Sequence, residues 1–220
     1  MTLAKKLDSS GAEPKPGGGI IATIRRMSSV LMLLGIMALF ALVVILWLNN
    51  RNAFPSEGSP EVGFARDMIV HHNQAVQLAL LLYDRSENET LRTMALDMLL
   101  SQQTQIGQMQ GWLYLWGVPI ASTDLPMAWM GMLVEGLMPG MATDQQIARL
   151  RDSSGVDADR QFIALMIPHH ESGIHMAQAI MGVTHVPAVQ KLASSIIDTQ
   201  QREIDELRQV STQLENSPAD

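Results

Sequence analysis

Two histidine pairs carry most of the chemistry that this sequence offers. His71-His72 and His169-His170 lie in two similar segments, FARDMIVHHNQAVQLA at 64–79 and FIALMIPHHESGIHMA at 162–177. Aligned residues are 98 positions apart, and five of the six histidines of the chain fall in these segments. Imidazole nitrogens are common metal ligands, so a duplicated pair favours a metal site over unrelated surface histidines.

Methionines close to the pairs narrow the choice of metal. Met68 and Met166 precede the pairs by one helical turn, and Met176 follows the second pair by six residues. Thioether and imidazole without thiolate suit copper, because thioethers favour Cu(I) while imidazole also accepts Cu(II). Zinc held by three or four histidines stays open. Iron also stays open, although the helices lack the Glu-x-x-His motifs of ferritin-like di-iron sites.

Apolar residues at helical spacing place each pair on an amphipathic helix. The repeat continues without a gap past the histidines, since Gln102 and Ile106 recur as Gln200 and Ile204. A helical hairpin that is duplicated and joined by one long crossover predicts an all-α, ferritin-like four-helix bundle. The predicted helices cover about 62–84, 90–116, 143–151, 156–181 and 188–214, the short third one starting with a capping box at Thr143.

The hairpins also predict which residues lie at the same height. With turns near residues 87 and 185, His71 comes level with Gln103, and His169 comes level with Gln201. Glu203 lies one turn from Gln200 on the same helical face, so each half contributes a polar layer. Burying several unpaired polar groups would cost a few kcal/mol each, and a bound metal or access to water would remove that cost.

The N-terminal region predicts a membrane anchor. Residues 1–26 are polar, basic and rich in Gly and Pro, which is typical of disorder. Residues 27–48 contain no charge and are long enough to span a bilayer. The basic residues before this span put the N-terminus in the cytoplasm and the rest outside, in the periplasm or at the cell surface. A cleaved signal peptide fits less well, because the apolar run is long and no small-x-small site follows.

Composition excludes several classes of function. The formal net charge is −7, which argues against nucleic-acid binding, since phosphate contacts require a basic face. The chain has no cysteine, which excludes disulfides, thiolate metal sites and a cysteine nucleophile. We therefore divide the chain into the segment 1–26, the span 27–48, a linker 49–61 and a bundle 62–216. The bundle comprises repeat one at 62–117, the crossover at 118–158 and repeat two at 159–214.

From about residue 64 to 214 the chain resembles the family known as domain of unknown function 305, which has a ferritin-like helical fold. The resemblance rests on Met-Ile-x-His-His at 68–72 and 166–170, Gln200-Gln201-x-Glu203-Ile204, and Pro-Gly-Met at 139–141. It implies extracytoplasmic copper binding, often in copper tolerance, with His and Met as ligands.

Carried over by position, the resemblance implies a set of candidate ligands, and departures from the family pattern in the first half predict an asymmetric site. The first half has Gln77 and Leu78 where the second has His175 and Met176, and Gln105 in place of Glu203. The first half is therefore expected to contribute less. The candidate metal ligands are His71, His72, His169, His170, Met68, Met166, His175, Met176, Met141 and Glu203.

Three functions remain open at this point. The first is a membrane-anchored copper-binding bundle that sequesters or delivers the metal without catalysis, and which could form a homodimer. The second is a metal-dependent oxidoreductase, against which the scarcity of carboxylates near the layer counts. The third is a structural or partner-binding membrane protein in which the polar layer holds no metal and the Met-rich crossover is a contact surface.

Overall fold

The computed structural model describes the backbone of residues 18–51 and 54–216 and the side-chain environments of 25–47 and 54–216. The described residues form six α-helices and no strand, so the predicted all-α class is confirmed. They divide into two compact units, and the boundary in the sequence lies between Phe54 and Pro55. The helices are α1 (Gly18–Arg51), α2 (Pro60–Arg85), α3 (Glu89–Trp116), α4 (Asp144–Asp152), α5 (Gly155–Met181) and α6 (Pro187–Asn216).

Helix α1 forms the first unit. Its stretch Arg25–Trp47 is 23 residues long with a mean hydropathy of 3.0, which is enough to cross a membrane by length and composition; a signal sequence meets the same criterion. Residues 18–26, which the sequence assigned to a disordered segment, are helical here. Once a helix is nucleated, each added residue gains a hydrogen bond, so it extends past the apolar run. The rest of the predicted disordered segment, 1–17, lies outside the described residues.

Three helices of the second unit, α2, α3 and α4, begin at side-chain caps. Ser59 accepts a hydrogen bond from the Val62 backbone N–H ahead of α2, and Asn88 caps α3 in the same way. The capping box predicted at Thr143 is present, with Gln146 as its second member. Because these signals are local, the predicted ends of the bundle helices lie within two residues of the observed ones.

Pairing of the two halves follows an internal pseudo-two-fold symmetry. Thr184 Oγ1, in the turn between α5 and α6, donates a hydrogen bond of 2.8 Å to Glu61 Oε1 at the start of α2. At the equivalent place Ser86, in the turn between α2 and α3, is buried beside Asp159 at the start of α5. Each of these helices therefore begins beside the hairpin turn of the other half, and α2 runs antiparallel to α5. The duplicated-hairpin bundle is confirmed.

The core consists of two apolar clusters with a polar layer between them. One cluster surrounds Phe64 and joins the first half of α2 to the second half of α5. The other surrounds Phe162 and joins the second half of α2 to the first half of α5. The pseudo-two-fold axis exchanges the two clusters, so the histidine pairs lie at the middle of the bundle, where the symmetry axis passes.

The crossover between α3 and α4 is held against the bundle by the polar side chains of Asp67 and Gln74 on α2. Asp67 Oδ2 accepts hydrogen bonds from the Met127 backbone N–H at 2.7 Å and from Trp129 Nε1 at 2.9 Å. The Gln74 amide bonds both the N–H and the carbonyl of Ala142, at 2.6 and 2.8 Å. Met127 and Met138 are buried in the Phe64 cluster, so much of the methionine in the crossover fills the core.

Gly140 is where the crossover comes closest to α5. Its φ is +76°, and a Cβ there would meet the Pro168 carbonyl oxygen and lie 2.9 Å from Ser172 Cβ. We expect Gly140→Ala to destabilise the bundle by about 2 kcal/mol or more, from the left-handed backbone and the contact together. Gly131→Ala is the matched control, because φ is +79° and nothing lies within 4 Å. Chemical denaturation would contradict this account if both variants lost the same stability.

Candidate metal centre

The four histidines lie in one layer and are fully buried, with 0% of each side chain exposed. His71 and His169 meet at the centre, where their rings stack with centroids 3.7 Å apart. His169 Nε2 also lies 3.1 Å from the His71 carbonyl oxygen. The two helices thus bring together residues that are 98 positions apart, and the stacked pair lies at the pseudo-two-fold axis.

The second histidine of each pair faces the partner helix of its own hairpin. His72 Nε2 lies 2.6 Å from Gln105 Oε1 on α3, and His170 Nε2 lies 2.6 Å from Glu203 Oε2 on α6. These contacts are equivalent by the repeat, but one partner is a neutral amide and the other a carboxylate. The two contacts therefore differ in charge, at the position where one half has Glu203 and the other has Gln105.

The layer holds most of the unsatisfied buried polar groups in the described part of the chain. Of ten buried side-chain nitrogen and oxygen atoms without a hydrogen-bond partner there, nine belong to the layer and one to Asp159. Native proteins leave few such atoms, and each costs about 1–3 kcal/mol. The nine are His71 Nδ1 and Nε2, the Nδ1 atoms of His72, His169 and His170, and both amide atoms of Gln102 and Gln200.

Burial keeps the imidazoles of His71, His72 and His169 neutral. It is the main cause that lowers the pKa of His71 and of His169 well below 6.5, and the neighbouring histidines lower both further. Burial also lowers the pKa of His72 to about 4, although the hydrogen bond to Gln105 opposes the shift. A neutral imidazole carries a free lone pair, which is the form that binds a metal.

Acid should therefore destabilise the metal-free bundle. Above pH 6.5 these histidines are neutral in both the folded and the unfolded chain, and they add no pH dependence. Below pH 6.5 the unfolded chain binds protons that the folded bundle does not, so stability falls as pH falls. Each of the three contributes up to about 1.4 kcal/mol per pH unit until its folded pKa is reached.

Urea denaturation in a metal chelator between pH 7.5 and 4.5 measures this dependence. A variant that lacks the exposed His175 and His185 should keep the same slope, because neither side chain is buried. Equal stability at pH 7 and pH 5 would show that the layer is already protonated or hydrated.

The other predicted ligands divide into three groups. Met68, Met166 and Met176 are fully buried, in the apolar clusters on either side of the layer. Met141 is half-buried and packs at the edge of the Phe64 cluster. His175 is exposed, unlike the four histidines of the layer.

The conformation seen here does not yet form a coordination sphere. Within the described ranges, no three His, Asp, Glu or Cys side chains converge closely enough to hold a metal ion. His72 and His170 use one ring nitrogen each in hydrogen bonds, while both ring nitrogens of His71 are unpartnered among the described residues. The imidazole and thioether donors of this region are suitable ligands for copper. To bind it, the imidazole rings that form hydrogen bonds in this conformation would have to rotate toward the metal.

The sequence did not identify the function of Gly173. This glycine lies inside α5, and a Cβ on it would overlap Oε1 of Gln200, so the missing side chain makes room for that amide. The first half has Ala75 at the equivalent position. A glycine within a helix destabilises it by about 1 kcal/mol relative to alanine. A glycine at this position of a predicted helix, without an evident reason, was the signal in the sequence that a close contact requires it.

Counting residues from the hairpin turns located the polar layer along the helices but did not identify every residue in it. Gln103 and Gln201, predicted level with the histidines, are exposed. Their neighbours Gln102 and Gln200 are buried instead, and Gln105 meets His72. Counting from the turn measures distance along a helix, whereas adjacent residues differ by about 100° in direction.

Comparison with known protein families identifies the family to which the histidine-containing bundle belongs. The family description "Domain of unknown function (DUF305)" matches residues 61–211, which include both histidine pairs and the crossover. The chain belongs to the DUF305 family. The predicted family resemblance is thereby confirmed.

Solved DUF305 and copper-bound structures share this fold. A putative secreted DUF305 protein from Streptomyces coelicolor is 37% identical, with a TM-score of 0.70, over 75% of this chain and 99% of that one. CopM in a Cu(II)-bound form is 27% identical, with a TM-score of 0.58, over 70% of this chain and 96% of that one. CopM has also been solved in Cu(I)-bound and Ag-bound forms.

A curated relative matches a shorter stretch. The uncharacterized protein L153 of Acanthamoeba polyphaga mimivirus is 38% identical over 61 residues, which is 28% of this chain and 40% of that protein. The chain thus spans less than half the length of this relative.

Proposed function

We propose that this protein is a membrane-anchored, extracytoplasmic copper-binding bundle that sequesters or hands over copper and performs no catalysis. The observation that carries the proposal is the histidine layer, in which buried imidazoles and two buried amides have unsatisfied atoms. A metal ligated there would use lone pairs that now have no partner, and so would offset the penalty of burying them. The copper-bound forms of CopM, a structural neighbour, support copper as the metal.

The proposed ligands divide by role. His71, His72, His169 and His170 are the primary ligands, and the buried thioethers of Met68, Met166 and Met176 favour Cu(I). Glu203, Gln102 and Gln200 orient the imidazoles or complete the coordination. Met141 and His175 lie further out, and we assign them accessory roles in taking up or releasing the metal.

Helix α1 supplies the proposed anchor. The basic residues that precede the apolar stretch put the N-terminus in the cytoplasm and the bundle outside, by the positive-inside rule. The secreted relative supports an extracytoplasmic bundle. Outside the cytoplasm, thioether and imidazole ligands have the advantage that they do not form disulfides.

A second reading is a bundle whose polar layer is architectural and binds no metal. It is favoured by one observation, the lack of three convergent ligand side chains within the described ranges. On this reading water would satisfy the layer, and copper would change neither stability nor spectrum.

Metal content and copper titration separate the two readings. Residues 55–220 form a compact unit of their own, so the bundle can be studied apart from α1. We expect the bundle to retain copper after purification from copper-supplemented medium and to unfold at a higher temperature when loaded. A bundle that stays empty, with the same unfolding temperature in copper and in chelator, would establish the architectural reading.

A further inference from the structure

Gln105 and Glu203 each contact one buried histidine of the layer, and both side chains are partly exposed to solvent. All four histidines are 0% exposed, whereas 14% of the Glu203 side chain is exposed. The same carboxylate lies 2.6 Å from His170 Nε2 through Oε2. Glu203 therefore touches the buried layer and also reaches the surface.

A groove leads from solvent to Glu203. Helices α3 and α6 contact each other only sparsely, and between them lies a groove of about 240 Å³ lined in part by Asp97, Glu203 and Glu206. Arg202 also lines it, but its guanidinium donates hydrogen bonds along its own helix, to the Asp198 carbonyl and Thr199 Oγ1. Three carboxylates and one arginine leave the groove with a net negative charge.

The pseudo-symmetric half of the same interface lacks this charge. Positions equivalent to Asp97, Arg202, Glu203 and Glu206 are occupied by Ser195, Thr104, Gln105 and Gln108, all of them neutral. The two halves have the same helix arrangement, but only one of them has charged side chains at these four positions. The charged groove is therefore not a consequence of the helix packing.

We propose that this groove is the port through which a copper cation enters and leaves the layer, with Asp97 and Glu206 attracting it and Glu203 passing it to His170. The inference rests on the proposed copper-binding function. A cleft lined by one sign of charge raises the local concentration of the opposite ion and its association rate. Carboxylate oxygen is a poorer ligand for copper than imidazole or thioether, so the ion would pass inward instead of staying in the groove. His170, fully buried with Nδ1 unpartnered among the described residues, is the first nitrogen ligand on that route.

The rate of copper uptake tests the port. The full chain in detergent is mixed anaerobically with Cu(I) supplied as its acetonitrile complex, and a strong Cu(I) chelator then traps the ion not yet bound. We expect Asp97→Asn with Glu206→Gln to slow association on the order of tenfold at low ionic strength. The amount bound at equilibrium should be unchanged, and the difference should shrink in about 0.5 M salt.

Two further variants make the test specific. Asp157→Asn with Glu215→Gln removes the same charge from exposed positions outside the groove and should leave the rate within about twofold of the parent, because distant surface charges are screened. Arg202→Gln should speed uptake, because it removes the positive charge from the groove. If the Asp97→Asn, Glu206→Gln variant and the parent both bind copper and take it up at equal rates, the groove is not the entry route. The proposed copper-binding function would be unaffected by that result. A parent chain that takes up no copper would overturn the proposed function itself, and the port with it.

Discussion

Replacing His71, His72, His169 and His170 together by alanine is expected to abolish stoichiometric copper binding. All four are buried in one layer, and the remaining candidate ligands are thioethers, one carboxylate and the exposed His175. Thioethers alone bind Cu(I) weakly and Cu(II) poorly, because imidazole supplies the nitrogen donors that both states accept. We expect the loss to be at least a thousandfold in affinity, on the order of 4 kcal/mol.

Isothermal titration with Cu(I) and Cu(II), beside metal analysis of the purified bundle, measures this loss. The matched control replaces His175 and His185, which are exposed, and should keep full stoichiometry. Circular dichroism shows whether the quadruple variant still folds. A folded quadruple variant that binds as much copper as the parent would remove the layer as the copper site.

Changing Gln102 and Gln200 to methionine is expected to stabilise the metal-free bundle. Each amide is at least 97% buried, at 3% and 2% exposure, with both polar atoms unpartnered among the described residues. An unsatisfied buried polar group costs about 1–3 kcal/mol, and methionine has nearly the same length and shape without that penalty. We expect a gain of about 2–6 kcal/mol for the pair.

Denaturation in chelator measures the gain, with Gln103→Met and Gln201→Met as controls. Those two glutamines are adjacent in the chain but exposed, so their replacement should change stability by less than about 0.5 kcal/mol. The stabilised variant should also bind copper less tightly, since the proposal gives these amides a role in holding the ligands. If the variant with methionine at positions 102 and 200 is instead less stable than its parent, the two amides are hydrogen bonded in solution. The layer would then have no unsatisfied amides whose cost a bound metal could offset.

The sequence predicted those features of the fold that depend on local interactions. Capping residues such as Thr143 and Gln146 act within one turn, and apolar periodicity acts within one helix, so helix positions could be read directly. The 98-residue repeat then predicted the duplicated hairpin and the equivalence of the two histidine pairs. The crossover contacts made by Asp67 and Gln74 could not be predicted, since each joins residues at least 60 positions apart.

What the sequence determined by itself is the set of side chains available to the layer and their height along the helices. Only the tertiary structure decided that His71 stacks on His169, that His170 meets Glu203, and that the groove between α3 and α6 carries charge on one half. The physical reason is rotation: a helix turns by about 100° per residue, so the direction of a side chain depends on how the helices pack. Packing is set by the two apolar clusters around Phe64 and Phe162, whose members come from all four helices of the bundle.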